Sequence, residues 1–82
     1  MVSREFKAAA NLEARVAALF VQNAGRFSCR QLIRRGNMEV NCKSIMGVVS
    51  MSIREGETVT ITASGPGEAE AVSVLAKMLA EA

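Results

Sequence analysis

The sequence contains no histidine, no tryptophan and no tyrosine. Without an imidazole, the chain has no catalytic triad that uses histidine, no histidine-ligated metal site and no phosphohistidine chemistry. No other combination of residues supplies a nucleophile, a base and their supporting groups, so we predict neither an enzyme nor a cofactor site. The only aromatic residues are Phe6, Phe20 and Phe27, and a folded core must therefore consist mainly of aliphatic side chains.

The net charge argues against a nucleic-acid-binding protein, and the length of the apolar segments argues against a membrane protein. The formal net charge of +2 is too small to indicate a nucleic-acid surface, and we interpret Arg30, Arg34 and Arg35 as a solvated strand face. No apolar run approaches the length of a membrane span, and the first residues lack a signal-peptide pattern, so we predict a cytoplasmic protein. Cys29 and Cys42 suit a reducing compartment, lack the spacing of a metal site and are predicted to be small apolar fillers.

The chain is predicted to form a single domain spanning residues 1–82, because half of its residues are apolar and its length allows only one modest core. The spacing of the apolar residues predicts the order strand, helix, strand, strand, short helix, strand, helix. The predicted segments are residues 2–8, 11–24, a hairpin at 28–42, a short helix after 44, 57–63 and a helix that starts near 65–67. Amphipathic strands of this kind favour an α+β fold with an antiparallel sheet and helices on one face.

The first helix is expected to begin with Asn11 as a turn or cap residue and to end at Gly25 in a left-handed conformation. Leu19 lies off the apolar stripe of this helix and is expected to be exposed. The residues of the stripe are Ala17, Phe20, Val21 and Ala24.

The hairpin is predicted to turn at Gly36 and Asn37, a pair able to adopt positive φ. This turn sets Ile33 opposite Val40 on the inner face of the sheet. The hairpin therefore supplies part of the core.

A serine stands at the start of the short helix in the run KSIMGVVSMSI, residues 43–53. Ser44 is a favourable N-cap, because its oxygen can accept a hydrogen bond from a free N–H at the helix start. One helix turns only one stripe toward a core, so some of Ile45, Met46 and Val49 should face outward beside the serine. The alternative for this segment alone is an ordinary capped core helix.

Two runs of the sequence resemble one known family. Residues 11–27, NLEARVAALFVQNAGRF, resemble the GLHARPAA motif and first helix of HPr, the phosphocarrier of the sugar phosphotransferase system. Residues 43–53 resemble the regulatory-serine segment of HPr, and the similarity continues through VTITASG and the closing helix. The resemblance implies an HPr-like open-faced β-sandwich, in which three helices cover one face of a four-stranded antiparallel sheet in the order βαββαβα.

The sequence departs from HPr at the active site of the phosphocarriers. Glu13 stands where HPr has its phosphorylated histidine, Asn11 where it usually has glycine and Val16 where it has proline, whereas Arg15 is retained. We therefore predict that the chain is not a phosphohistidine carrier. Loss of the histidine, with KSIMG and AALFVQ kept, resembles the Crh branch of the family, although Crh usually has glutamine at this position. Glu13 either imitates part of the charge of a phosphohistidine or reflects drift after the carrier function was lost.

The functional expectation follows from Ser44, which aligns with the serine that HPr kinase/phosphorylase modifies. The resemblance implies a Crh-like regulatory protein that is phosphorylated on Ser44 and then acts as corepressor of a LacI-family catabolite regulator in carbon catabolite repression. No direct contact with nucleic acid or a membrane is expected. The alternative is an HPr-like component or decoy that binds enzyme I or permease domains without relaying phosphate. The expected partner-binding residues are Glu13, Arg15, Lys43, Ile45, Met46 and Val49.

Overall fold

The computed structural model describes residues 1–80, which fold in the predicted order of elements. The elements are β1 (Val2–Lys7), α1 (Ala14–Ala24), β2 (Arg30–Arg35), β3 (Met38–Asn41), α2 (Ile45–Ser50), β4 (Thr58–Ser64) and α3 (Glu68–Ala80). The four strands form one antiparallel sheet in the order β1-β4-β2-β3, so β1 and β3 are its edges. The predicted α+β fold with an HPr-like element order is confirmed.

One face of the sheet is buried, as the alternation of apolar and polar residues predicts. The inward residues of β4 are Val59, Ile61 and Ala63, and all three are buried. In the hairpin, Ile33 lies opposite Val40, which confirms the predicted register of β2 and β3. The turn between them uses Gly36 with φ of 60°, whereas Asn37 keeps a negative φ.

The helices close the buried side of the sheet. Helix α3 packs against β1 and β4, and α1 packs against α2 and α3. Three of the four predicted stripe residues of α1, Ala17, Phe20 and Ala24, are buried, whereas the fourth, Val21, is half-buried. Leu19 is exposed, as predicted. The longest helix, α3, has 13 residues, and no helix within residues 1–80 is long and apolar enough to cross a membrane.

The start of α1 differs from the prediction. The helix begins at Ala14 with Glu13 as its N-cap, and the expectation of a cap at Asn11 is wrong. The reason is that Asn11 is used elsewhere: its side-chain oxygen accepts a hydrogen bond from the backbone N–H of Glu55 at 2.8 Å. The next residue, Leu12, donates its N–H to the carbonyl of Ile53 at 2.9 Å. These two bonds hold the segment in an extended path across the 53–55 loop.

The end of α1 also differs from the prediction, because Gly25 is right-handed with φ of −65°. Its N–H still donates to the carbonyl of Val21 at 3.0 Å, so the residue continues the helix instead of reversing it. The helix then closes through a tighter bond from the N–H of Phe27 to the carbonyl of Ala24 at 3.2 Å. No left-handed residue is needed for this ending.

Arg35 does not belong to the solvated strand face that the sequence suggests. It lies at the end of β2 on the inward side and is half-buried. Its guanidinium donates to Glu57 Oε2 at 3.0 Å and to the carbonyl of Met51. Arg30 and Arg34 are exposed, as expected.

Candidate functional site

The candidate site is centred on Ser44, which is the N-cap of α2. Ser44 has an extended backbone, with φ of −102° and ψ of 107°, and its Oγ accepts a hydrogen bond from the N–H of Gly47 at 3.2 Å. The predicted capping role is therefore confirmed. The preceding turn is fixed by Asn41, whose side-chain oxygen accepts from the N–H of Lys43 at 2.8 Å and whose carbonyl accepts from the N–H of Ser44 at 3.0 Å.

Gly47 allows α2 to lie close to the sheet. A Cβ atom at this position would stand 3.1 Å from the Cβ of Val40 on β3 and 3.2 Å from Ser44 Oγ. Both distances are tighter than ordinary van der Waals contact, so a larger residue would push α2 outward or displace the serine oxygen. The sequence reasoning did not identify Gly47 as part of the site, although a glycine inside a short helix was a signal of close approach.

Most of the apolar surface of α2 is turned away from the core. Val48 is completely buried, whereas Ile45 is 40%, Met46 80% and Val49 44% exposed. The prediction of outward-facing apolar residues is confirmed, and the alternative of an ordinary core helix is wrong for these three. With Leu19 of α1, which is 49% exposed, they form a surface that we call the apolar patch.

Residues of α1 and α2 line an open groove of about 530 Å³ that reaches Ile45, the residue after Ser44. Arg15 and Ile45, two predicted partner-binding residues, both line it, although they are far apart in the sequence. The remaining lining residues are Ala18, Leu19, Val21 and Gln22. The sequence reasoning missed the contribution of α1 beyond Arg15, because that contribution exists only once the two helices pack together. Leu19 could have been found, since an apolar residue off the buried stripe is a signal for an interface.

Two further predicted partner-binding residues, Glu13 and Lys43, do not line this groove. Glu13 is exposed at the N-cap of α1, and its carboxylate makes no capping hydrogen bond. Lys43 is exposed immediately before Ser44. Their charged groups are thus free of capping and core contacts.

The two cysteines lie in the core and are not part of the site. Cys29 is 1% and Cys42 0% exposed, and both are free thiols. Burial raises the pKa of the Cys42 thiol to about 12, so it stays protonated at neutral pH. This agrees with the prediction of small apolar fillers. Residues 1–80 contain no cluster of three or more histidine, cysteine, aspartate or glutamate side chains that could hold a metal ion.

Comparisons with a family model and with individual proteins identify the same group of similar proteins. Residues 3–81 match the family model described as "PTS HPr component phosphorylation site". The HPr-like protein Crh of Halalkalibacterium halodurans is 45% identical over 71 residues, which is 87% of this chain and 84% of the relative. The HPr-like protein Crh of Bacillus subtilis is 42% identical over 77 residues, which is 94% of this chain and 91% of the relative.

Among solved structures, the phosphocarrier protein HPr of Bacillus anthracis str. Ames superimposes with a TM-score of 0.90 at 40% identity, covering 95% of both chains. The similarity therefore extends over sequence and fold together.

Proposed function

The chain belongs to the HPr family, and we propose that it is a Crh-like regulatory protein of carbon catabolite repression, not a phosphocarrier and not an enzyme. The observation that carries the proposal is the position of Ser44, which caps α2 beside the apolar patch and the groove lined by Arg15. The two Crh relatives support the same branch of the family. The sequence offers no imidazole at position 13 or anywhere else to carry phosphate.

The first step is ATP-dependent phosphorylation of Ser44 by HPr kinase/phosphorylase. The serine Oγ attacks the γ-phosphorus of ATP, a new O–P bond forms, ADP leaves, and a base on the kinase takes the hydroxyl proton. The Oγ accepts a hydrogen bond from the N–H of Gly47, which fixes the position of the atom that receives the phosphoryl group. Lys43, exposed next to the serine, is available for recognition by the kinase.

The phosphorylated serine changes the charge of the surface without unfolding it. A phosphoserine adds about −1.5 to −2 charges and three strong acceptor oxygens, and the start of a helix favours a negative group. We therefore expect α2 to persist, with its phosphate directed at arginine or lysine residues of a partner.

The second step is binding of a LacI-family catabolite regulator, for which this chain acts as corepressor. The apolar patch is exposed to water in the free protein and can be buried against the regulator. Arg15, which lines the groove, supplies a polar contact. Phosphate and patch act together, because the phosphate gives the signal and the patch gives affinity. The regulator, and not this chain, contacts DNA.

The test is incubation with purified HPr kinase/phosphorylase and ATP, followed by intact mass measurement. The expected result is one added phosphoryl group, absent in Ser44→Ala, whose half-buried serine caps α2, and retained in Ser50→Ala, which removes the exposed serine at the other end of α2. Binding of a purified LacI-family regulator should then require the phosphoryl group. A phosphate that persists in Ser44→Ala, or equal regulator binding by both forms, would contradict the proposal.

Glu13 stands at the position of the family's phosphorylated histidine and either imitates its charge or has no role in binding. Its carboxylate is exposed and makes no capping hydrogen bond, so it is available to a partner that reads this site. Replacing Glu13 with Gln keeps the shape and removes the charge. A changed affinity for the regulator supports imitation of a phosphohistidine, and an unchanged affinity supports drift.

A second candidate is an HPr-like decoy that engages enzyme I or permease domains without relaying phosphate. It is favoured by the retention of Arg15 in an intact groove on α1. Adding the unphosphorylated protein to a reconstituted phosphotransferase system distinguishes the candidates. Reduced phosphoryl flux, relieved by Arg15→Ala, indicates the decoy, whereas unchanged flux leaves the regulatory role.

A further inference from the structure

The five methionines of the chain differ sharply in exposure. Met46 is 80% exposed, whereas Met51, five residues later, is 0% exposed. Met38 and Met78 are half-buried and pack against the core. Met1 is also exposed, but it is the first residue and its amino group pairs with Glu68 Oε2 at 2.9 Å, at a different part of the surface. Within the folded body, Met46 is therefore the methionine that an oxidant in solution reaches first.

Met46 also occupies a special place on that surface. It is the second residue of α2 and lies two positions after Ser44. Its neighbours in the apolar patch, Ile45 and Val49, are each about half as exposed. Met46 thus stands farthest into solvent of the patch residues and contributes nothing to the buried core. A change at its sulfur alters the patch and leaves the packing of the fold untouched.

We propose that Met46 is an oxidation site, at which a two-electron oxidant such as hydrogen peroxide converts the thioether to a sulfoxide and switches off docking at the apolar patch. The sulfur lone pair attacks one peroxide oxygen, the O–O bond breaks and an S–O bond forms. The second oxygen leaves as water after proton transfer. Sulfur is oxidised by two electrons and the peroxide is reduced by two.

The consequence follows from the polarity of the product. A sulfoxide replaces an apolar, flexible end group with a polar one that keeps its water unless a partner supplies a hydrogen bond. At the most exposed point of an apolar docking surface, this opposes burial against a partner. The effect on the regulator rests on the proposed function, whereas the selective oxidation of Met46 does not.

The oxidation itself is tested on the unphosphorylated protein with limiting hydrogen peroxide and peptide mass mapping. Trypsin separates Met1, Met38 and Met78 into different peptides, and fragmentation of peptide 44–54 distinguishes Met46 from Met51. Met46 should oxidise together with Met1, and about tenfold or more faster than Met51, since reactivity follows access. Oxidation of Met46 no faster than that of Met78 would overturn the proposal.

The docking effect is tested with Ser44-phosphorylated protein, reduced or oxidised, titrated with a purified LacI-family regulator. Oxidation should weaken binding about tenfold or more, and treatment with methionine sulfoxide reductase should restore it. In phosphorylated Met46→Leu, the affinity for the regulator should be the same before and after the peroxide treatment, because leucine has no sulfur to oxidise. Equal weakening in Met46→Leu, or no weakening in the parent protein, would overturn the switch. Failure of the reduced phosphoprotein to bind would instead contradict the proposed function.

Discussion

Ser44 is both the N-cap of α2 and the proposed phosphorylation site, so a substitution there affects stability as well as chemistry. Its Oγ accepts the N–H of Gly47 at 3.2 Å, and alanine cannot replace that bond. Ser44→Ala should lower the free energy of unfolding by about 1 kcal/mol, whereas Ser44→Asp, which keeps a capping oxygen, should stay within about 0.5 kcal/mol.

This prediction is measured by urea unfolding followed by far-UV circular dichroism, because the chain has no tryptophan or tyrosine to report by fluorescence. Ser73→Ala on the exposed side of α3 is the control. Equal stability of the alanine and aspartate variants would show that the cap contributes nothing. The result also establishes that Ser44→Ala is folded when it is used as the unphosphorylatable control.

At the scale of elements, α2 ends in a backbone conformation that its sequence does not favour. Ser52, two residues beyond the helix, has φ of 51°, in the left-handed region. It is held there because Met51 and Ile53 on either side are both buried. An L-residue pays for this conformation, so Ser52→Gly should stabilise the protein by about 0.5 to 1 kcal/mol despite the greater freedom of glycine in the unfolded chain.

The same change two residues earlier is a matched control for Ser52→Gly. Ser50 is the last residue of α2, and its Oγ donates a hydrogen bond to the carbonyl of Gly47 at 2.8 Å, so Ser50→Gly should destabilise the protein by up to about 1 kcal/mol. Opposite signs for the two glycine variants in chemical denaturation are the expected result. Destabilisation by both would mean that the left-handed residue is not strained.

Glu57 is the centre of a hydrogen-bonded link between the segment after α2 and the end of β2. Glu57 accepts hydrogen bonds from the backbone N–H of Arg54 at 2.7 Å and from Arg35 at 3.0 Å, and Arg35 in turn binds the carbonyl of Met51. The bond from Arg54, and then the pairing with Arg35, lower the pKa of Glu57 from its usual value of 4.5. The unfolded chain therefore binds this proton more readily than the folded one.

The stabilisation linked to Glu57 is fully present above the unfolded pKa and is lost as the pH falls through the lower folded value. Glu57→Gln should accordingly be less stable than the parent at about pH 7, and the difference should shrink toward about pH 3. Glu55→Gln, at an exposed carboxylate of the same turn, is the control and should change stability little at either pH. A Glu57→Gln effect that is independent of pH would exclude this linkage.

For the whole molecule, features determined by residues close together in the sequence were easier to predict than features determined by contacts between distant segments. The alternation of β4 and the stripe of α1 are local patterns, and they predict the buried faces correctly. Ser44 and the outward residues of α2 were also predictable, because capping and surplus apolar residues are visible within one segment. The right-handed Gly25 at the end of α1 was mispredicted from a local pattern. Three further features were not predictable, since each depends on contacts between segments distant in the chain. They are the cap of α1, the half-buried Arg35, and the groove shared by α1 and α2.

Helix α1 contributes one face to the core and another to the apolar patch, so neighbouring residues of the helix should differ in their effect on stability. Phe20 is 0% exposed and is among the largest side chains in an otherwise mainly aliphatic core, whereas Leu19 beside it is 49% exposed. Phe20→Ala should cost about 3 to 5 kcal/mol, a large part of the about 4 to 12 kcal/mol expected for a chain of this length. Leu19→Ala should cost under about 1 kcal/mol, because it removes little buried area and leaves no cavity. Urea unfolding followed by circular dichroism measures both, and comparable losses would mean that Leu19 belongs to the core and not to the apolar patch.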